Sequence, residues 1–515
     1  MNRLASIGKV VTSLPNTTER TAAPPAERCG ETEFSGTNCK TASALSILCG
    51  VILGLSAPGH DQWYLAWCAI APLFFLIYSA TSHKTAALQS LMFGFAYNFT
   101  YLHWLFNIHP SQNCPMFMKI GLVLIVCLHQ SLIFAVFSRL CRSRLLSTVP
   151  LLIPLSWVLL FNKIGNAPLL FGVPWTMVEY SQYKQSYLLP LLSTTGGIGL
   201  GAAIVLTNLC LYFACNRRLH LVSKNRGQCY GALLLLPLAA LSYLLLKPAA
   251  PSPLSNCNLV LLQGNAVINR SGTNIKQVMD NYMALVSKAP PGSICLWPEW
   301  SMPMHFSQMP LGRISVAGLA RSYQQDWIVG GLDADKLGRE YNAVYAFSRN
   351  GKMLDDVYRK RMLVLFGEYM PWVISRLPFG TTKTDGTPQG ESLVNGCEPT
   401  IFKLADGKLG ALICLEVVSP ELVTETVRQG AQLLVDCSNT TWFDTPMVGS
   451  QMLAFCVFRA AETGRELAFC TTTGPSTIVD RNGRIKLLTK LNTRIAPGER
   501  VNFYNDLTPF SKWYR

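Results

Sequence analysis

Charge is what this chain lacks most. Of its 515 residues only 14% are Asp, Glu, Lys or Arg, against about 25% in ordinary soluble domains. Acids are scarcest: between residues 41 and 247 there are two, Asp61 and Glu179. A fold that is water-soluble throughout is excluded, and at least part of the chain belongs in a membrane. Histidine is rare too. His305 is the only one after residue 248, so that half has no well-placed partner for a Cys-His pair. None of the 17 cysteines stands in a C-x2-C spacing. Neither a zinc site nor a disulfide framework is indicated. The charged start is not followed by an apolar run, which excludes a signal peptide. No metal and no cofactor are expected.

What is present divides the chain in two. Half of the residues are hydrophobic, 50%. Residues 1–247 hold 17 Lys/Arg against 6 Asp/Glu, and residues 248–515 hold 27 against 23. The expected organisation is a disordered cytoplasmic tail over 1–40, a transmembrane helical domain over 41–247, a catalytic domain over 248–500 and a C-terminal tail over 501–515. Seven apolar segments are read at 42–58, 63–80, 86–108, 117–138, 147–162, 188–215 and 229–246. Basic residues gather in alternate connections: the tail, Lys84, then Arg139, Arg142 and Arg144, then Arg217, Arg218, Lys224 and Arg226. The positive-inside rule places that side in the cytoplasm and residues 248–515 on the opposite side. The positive charge is thus read as topology, with no nucleic acid implied.

The second half alternates short apolar strands with helical stretches, the pattern of α/β layers. Strands are expected at Leu259–Leu262, Ile294–Trp297, Trp327–Gly330, Ala343–Phe347, Leu409–Leu415 and Leu433–Asp436, with helices at 273–288, 420–429 and 447–463. Three residues fall at or near strand ends: Glu299, Lys360 and Cys414. A thiol needs activation at neutral pH. A carboxylate can take its proton, and an ammonium can stabilise a developing oxyanion. Alone, each has a plainer reading: a capping acid, a solvated lysine in Arg359-Lys360-Arg361, a buried cysteine behaving as a small hydrophobe. Between the fifth and sixth segments, Trp175 and Glu179 lie in an aromatic, nearly uncharged connection. It is read either as an interfacial belt or as a loop that touches the second domain or a lipid.

Several stretches resemble a known family. They are Leu262-Gln263-Gly264-Asn265, Leu296-Trp297-Pro298-Glu299, Tyr358-Arg359-Lys360-Arg361-Met362-Leu363-Val364 running into Phe366-Gly367-Glu368-Tyr369, Ile413-Cys414-Leu415-Glu416, Ser438-Asn439 with Trp442-Phe443, and Phe458–Arg465. Tyr101–Trp104, Pro174-Trp175 and Tyr180-Ser181-Gln182 match in the first half. The second half resembles the nitrilase, or carbon–nitrogen hydrolase, superfamily. The chain from about residue 42 is similar to the apolipoprotein N-acyltransferases of bacterial inner membranes.

The resemblance implies a multi-pass helical membrane domain followed by a nitrilase-like αββα sandwich on the periplasmic side. It implies acyl transfer from a membrane phospholipid, through a cysteine thioester, to the N-terminal amine of a diacylglyceryl lipoprotein. Cys414 would be the nucleophile, Glu299 the general base and Lys360 the oxyanion stabiliser. Glu368 would orient Lys360 or the base, and Glu416 the cysteine loop. Substrate contacts would come from Trp175, Glu179, Gln263, Asn265, Leu415, Asn439, Trp442 and Phe443. A single copy working at the bilayer would suffice. The alternatives are a membrane-tethered amidase and a catalytically silent membrane binding protein. The chain departs from the family pattern at Leu415, where a tyrosine is usual, and at Thr440-Thr441 and Met452.

Overall fold

The structure, a computed structural model, describes residues 39–107, 116–164, 175–216, 231, 251–266, 275–302, 304–364, 368–369, 393–441 and 445–514. The first half is helical: α1 (Cys39–Gly54), α2 (Ala71–Ser79), α3 (His83–Leu102), α4 (Met116–Cys141), α5 (Arg144–Thr148), α6 (Leu152–Leu159) and α7 (Leu192–Cys215).

 Each apolar stretch becomes helix because no backbone polar group inside it would otherwise find a partner away from water. On α4, Leu124, Leu128, Leu132, Val136 and Leu140 recur every four residues and stay exposed, whereas Val123, Cys127, Phe134, Phe137 and Cys141 are buried. Two helical stretches among the described residues, Lys119–Cys141 and Leu189–Cys215, are long and apolar enough to cross a bilayer.

The segment expected at 63–80 is not one helix. It forms a 3-10 turn over Trp63–Trp67 and then α2. The break is held from far away in sequence. Asn208 on α7 accepts from the backbone N–H groups of both Ile70 and Ala71, each at 2.9 Å, which satisfies donors that the start of a helix leaves free. Pro72, with no N–H to lose, sits in the first turn of α2. The segment expected at 229–246 lies outside the described residues, Gly231 excepted.

The second half is built on two sheets. Its strands are β1 (Ser255–Leu261), β2 (Ile294–Leu296), β3 (Asp326–Ala334), β4 (Glu340–Ser348), β5 (Lys352–Met353), β6 (Tyr358–Arg359), β7 (Ile401–Lys403), β8 (Lys408–Ile413), β9 (Leu433–Ser438), β10 (Leu467–Thr471), β11 (Thr477–Val479), β12 (Ile485–Leu488) and β13 (Gly498–Phe503). The first sheet runs β13-β1-β2-β3-β4-β5 with β6 also on β4, and the second runs β12-β11-β10-β9-β8-β7. Leu259, Leu296 and Val344 of one sheet share a core with Ile413, Val435 and Ala468 of the other. The helices α8 (Ile275–Val286) and α9 (Pro310–Tyr323) cover the outer face of the first sheet.

The helices α10 (Pro420–Arg428) and α11 (Pro446–Thr463) lie against the second sheet. Sequence sets their ends. Ser419 and Thr445 cap the two N-termini just before a proline, and Gly464, at φ 65°, ends α11. The other face of α11 does not meet solvent, whereas α10 leaves Glu425 and Arg428 exposed. Val423 and Val427 of α10 and Phe455 and Phe458 of α11 belong to the same apolar core as α1–α7. The sandwich and the helical half are therefore one packed body along this layer.

Residues 501–515, expected as a tail, are part of that body up to Tyr514. β13 pairs antiparallel with β1, Ser255 opposite Phe503 and Asn258 opposite Arg500, with Val501 and Phe503 buried. The helix α12 (Pro509–Trp513) returns to the helical half, where Trp513 Nε1 donates to the Thr194 carbonyl at 2.9 Å.

Candidate active site

The two central parallel strands deliver the acid and the thiol. β2 ends at Leu296, and the chain turns through Trp297-Pro298 to Glu299. That turn presses on β3 at Gly330, where an added Cβ would stand 2.3 Å from the Pro298 carbonyl oxygen. Only glycine fits there. β8 ends at Ile413, one residue before Cys414. Cys414 takes φ 54°, a left-handed conformation that costs an L-residue about 1 kcal/mol or more. The turn is held on each side. The Cys414 N–H donates to Asp436 Oδ1 at 2.9 Å, and the backbone amide of Asn439 favours the ionised thiol.

Lys360 follows β6 directly. Its N–H donates to the Asn342 carbonyl on β4 at 2.8 Å, and its own carbonyl accepts from Gly396 at 2.8 Å. Its side chain is 1% exposed and lies between two carboxylates. Nζ stands 3.0 Å from Glu299 Oε1 and 2.9 Å from Glu368 Oε2. Burial alone would lower the pKa of this ammonium, but the charges of Glu299 and Glu368 outweigh it and hold the pKa well above the ordinary lysine value. Burial raises the Glu299 carboxyl, and Lys360 restrains the rise. Burial also pushes the Cys414 thiol up, with the Glu299 charge adding and Lys360 opposing. The resting group is thus a thiol beside a base of enhanced strength, not a free thiolate.

Glu416 fastens these parts together. One carboxylate oxygen accepts from the N–H groups of Arg361 at 2.5 Å and Met362 at 3.1 Å. The other accepts from Tyr358 Oη at 2.6 Å and the Ile413 N–H at 2.7 Å. The lysine segment and the cysteine turn are therefore tied through one buried carboxylate. Sequence reading overlooked a second tie, Asn342. Its Nδ2 donates to Glu299 Oε1 at 2.6 Å and to Glu368 Oε1 at 2.8 Å. The signal was available: a polar side chain heads the apolar run Ala343-Val344-Tyr345 of a central strand.

Both halves of the chain match known domain families. The apolipoprotein N-acyltransferase N-terminal domain matches residues 49–210, and the carbon-nitrogen hydrolase domain matches residues 261–495. An apolipoprotein N-acyltransferase of Geobacter metallireducens is 29% identical over 499 residues, covering 91% of this chain and 92% of that relative. Both halves of the chain are thus similar to apolipoprotein N-acyltransferases. Another, from Nitrosomonas europaea, is 26% identical, covering 83% of this chain and 84% of its own length. Among solved structures, Saccharomyces cerevisiae Nit3, of the nitrilase superfamily, overlays with TM-score 0.38 at 18% identity, covering 49% of this chain and 93% of its own.

The remaining residues expected to touch substrate fall in several places. Leu415 is half-buried and packs on the apolar core, beside the nucleophile in sequence. Asn439 is buried, and its Oδ1 accepts from the Thr472 hydroxyl at 2.9 Å while its backbone amide favours the ionised thiol. Gln263 is fully buried and structural: Nε2 donates to the carbonyls of Lys490 and Thr493, each at 2.8 Å. Asn265 donates to the Asn492 carbonyl at 3.2 Å. Trp442 and Phe443 lie outside the described residues.

Trp175 and Glu179 lie where their connection touches the second domain, one of the readings open for that stretch. Both are buried in the junction between the two halves. Trp175 donates to Gln451 Oε1 on α11, which also accepts from Trp104 Nε1 at 3.0 Å. Glu179 packs by Gly197 and Gly201 of α7, near Arg459 and Glu462, themselves ion-paired at 2.8 Å. Apolar partners some 270 residues away cover what looks locally like an exposed loop. Burial pushes the Glu179 carboxyl up to about 8. A folded-state pKa above the unfolded one favours the fold below the ordinary carboxylate range, and the benefit is lost as pH rises through about 8. The melting temperature of the wild type in detergent is therefore expected to fall from about pH 4.5 to about pH 8 and to level off above that. Glu179→Gln should flatten that part of the profile.

Proposed function

We propose that the protein moves an acyl chain from a membrane phospholipid to the N-terminal amine of a diacylglyceryl cysteine on a lipoprotein, through a thioester on Cys414. The observation that carries this reading is the buried Glu299–Lys360–Glu368 array, tied by Glu416 to the Cys414 turn. In the first step Glu299 takes the thiol proton as Sγ attacks the ester carbonyl, and Lys360 stabilises the oxyanion. The ester C–O bond breaks, Glu299 returns the proton to the leaving oxygen, and a lysophospholipid departs. In the second step the lipoprotein amine attacks the thioester. Glu299 takes the amine proton and returns it to sulfur, which leaves an amide and the free thiol. Splitting the transfer in this way requires ping-pong kinetics.

The apolar ridge of α4 supports a site at a bilayer, since Leu124, Leu128, Leu132, Val136 and Leu140 are left exposed by the described residues. The reading includes a multi-pass inner-membrane location with the sandwich on the periplasmic side, a single copy as the working unit, and no cofactor.

The test is incubation of the detergent-solubilised protein with acyl-labelled phospholipid, first alone and then with a diacylglyceryl lipopeptide. A hydroxylamine-sensitive label on the protein that chases into N-acylated lipopeptide is expected. Label that decays only to free fatty acid would identify a hydrolase instead. Absence of any acyl-enzyme would end the thioester mechanism.

A further inference from the structure

Asp436 stands where composition would not put it. It interrupts the apolar run Leu433-Leu434-Val435 of β9 and is fully buried. Strand alternation sends Leu433, Val435 and Cys437 into the core between the sheets. Asp436 therefore faces the other way, with Leu434, toward α11, whose Cys456 feels its charge. β9 runs parallel to β8 with Asp436 opposite Leu412, two residues short of the nucleophile.

Its contacts are all at one oxygen. Oδ1 accepts the Cys414 N–H at 2.9 Å and the Ser438 hydroxyl at 3.0 Å, and Oδ2 has no hydrogen-bond partner among the described residues. Burial pushes this carboxyl well above the ordinary range, Ser438 restrains it, and the charges of Glu416 and Glu299 push it further.

We propose that Asp436 is a positioning residue for the nucleophile: by accepting the Cys414 N–H it holds the left-handed cysteine turn and keeps the thiol facing Glu299 and Lys360. This rests on Cys414 being the reactive thiol. One consequence is that the Cys414 N–H is already occupied, so oxyanion donors come from Lys360 Nζ and from amides beyond Cys414.

The test uses the full-length protein in detergent and measures the rate at which iodoacetamide alkylates Cys414, followed on the Cys414 peptide by mass spectrometry, together with melting temperature. Asp436→Val removes the acceptor and should slow alkylation by about tenfold or more. Asp436→Asn keeps an acceptor oxygen and should stay within about threefold of wild type. A folded valine variant with wild-type reactivity overturns the inference. So does an asparagine variant that loses reactivity, a result that holds even if the valine variant does not fold. Alkylation needs no acyl donor. Asp436-dependent alkylation in a protein that forms no acyl-enzyme would therefore sink the acyl-transfer reading and leave the positioning role standing.

Discussion

Cys414→Ala is expected to abolish both acyl-enzyme formation and transfer, with a fall in turnover of about 10,000-fold or more. No other described group is placed to replace the sulfur. Glu299 is engaged by Lys360 and Asn342, and Cys437 is fully buried in the core between the sheets. The fold should survive. The Cys414 N–H contact with Asp436 does not involve the side chain. The melting temperature should stay within about 4 °C of wild type. The check is a hydroxylamine-sensitive label on wild type and none on the variant. Transfer by the alanine variant would refute Cys414 as nucleophile.

Lys360→Met should damage chemistry and stability together. The methionine leaves Glu299 and Glu368 facing one another without the cation that stands 3.0 Å and 2.9 Å from them. Removing one partner from a buried ionic group costs about 3–5 kcal/mol. Loss of the oxyanion donor should lower kcat/KM by about 100- to 1,000-fold. The pH dependence has a definite sign. Burial already raises Glu299, and loss of Lys360 removes what restrains it, so the carboxyl is protonated over a wider range and fails as a base. The stability deficit should shrink as pH falls and the carboxyls become neutral. In wild type the raised Lys360 pKa gives stability that is present below the ordinary lysine value and lost only as pH rises through the folded one. Lys360→Met combined with Glu368→Gln should regain part of the lost stability without regaining activity. Denaturation at several pH values and initial transfer rates measure both. Equal activity recovery in the double variant would show that Lys360 acts only through charge balance.

Glu299 and Cys414 stand out in the sequence because each follows an apolar strand, whereas Lys360 follows Tyr358-Arg359 in a basic run and is marked by the family resemblance. Strand ends are a local property. What holds those residues in place is not local. Asn342 reaches Glu299 and Glu368 only because β3, β4 and β6 pair in a particular register. Asp436 reaches Cys414 only because β8 and β9 run side by side. The same reason explains the misread ends of the helical half. The break before Ala71 depends on Asn208, and the burial of Trp175 depends on Gln451 and Phe455. β13 was missed because its partner, β1, lies at the far end of the sandwich sequence. The periodic signals were reliable for α8, α10 and α11, whose observed bounds, Ile275–Val286, Pro420–Arg428 and Pro446–Thr463, fall within a few residues of the stretches read from spacing.

The layer formed by α10 and α11 has a bearing on biogenesis. In a free-standing sandwich the outer face of such helices would be wetted. Here Val423, Val427, Phe455 and Phe458 share their core with α1–α7, and α12 adds a strap from the end of the chain back onto Thr194. The N-terminal half leaves the ribosome first and is in place before α11 is made. It then serves as the template on which the later half completes its surface. A sandwich released from that template would expose a sticky apolar face, so assembly of the catalytic machinery is conditional on prior insertion of the helices.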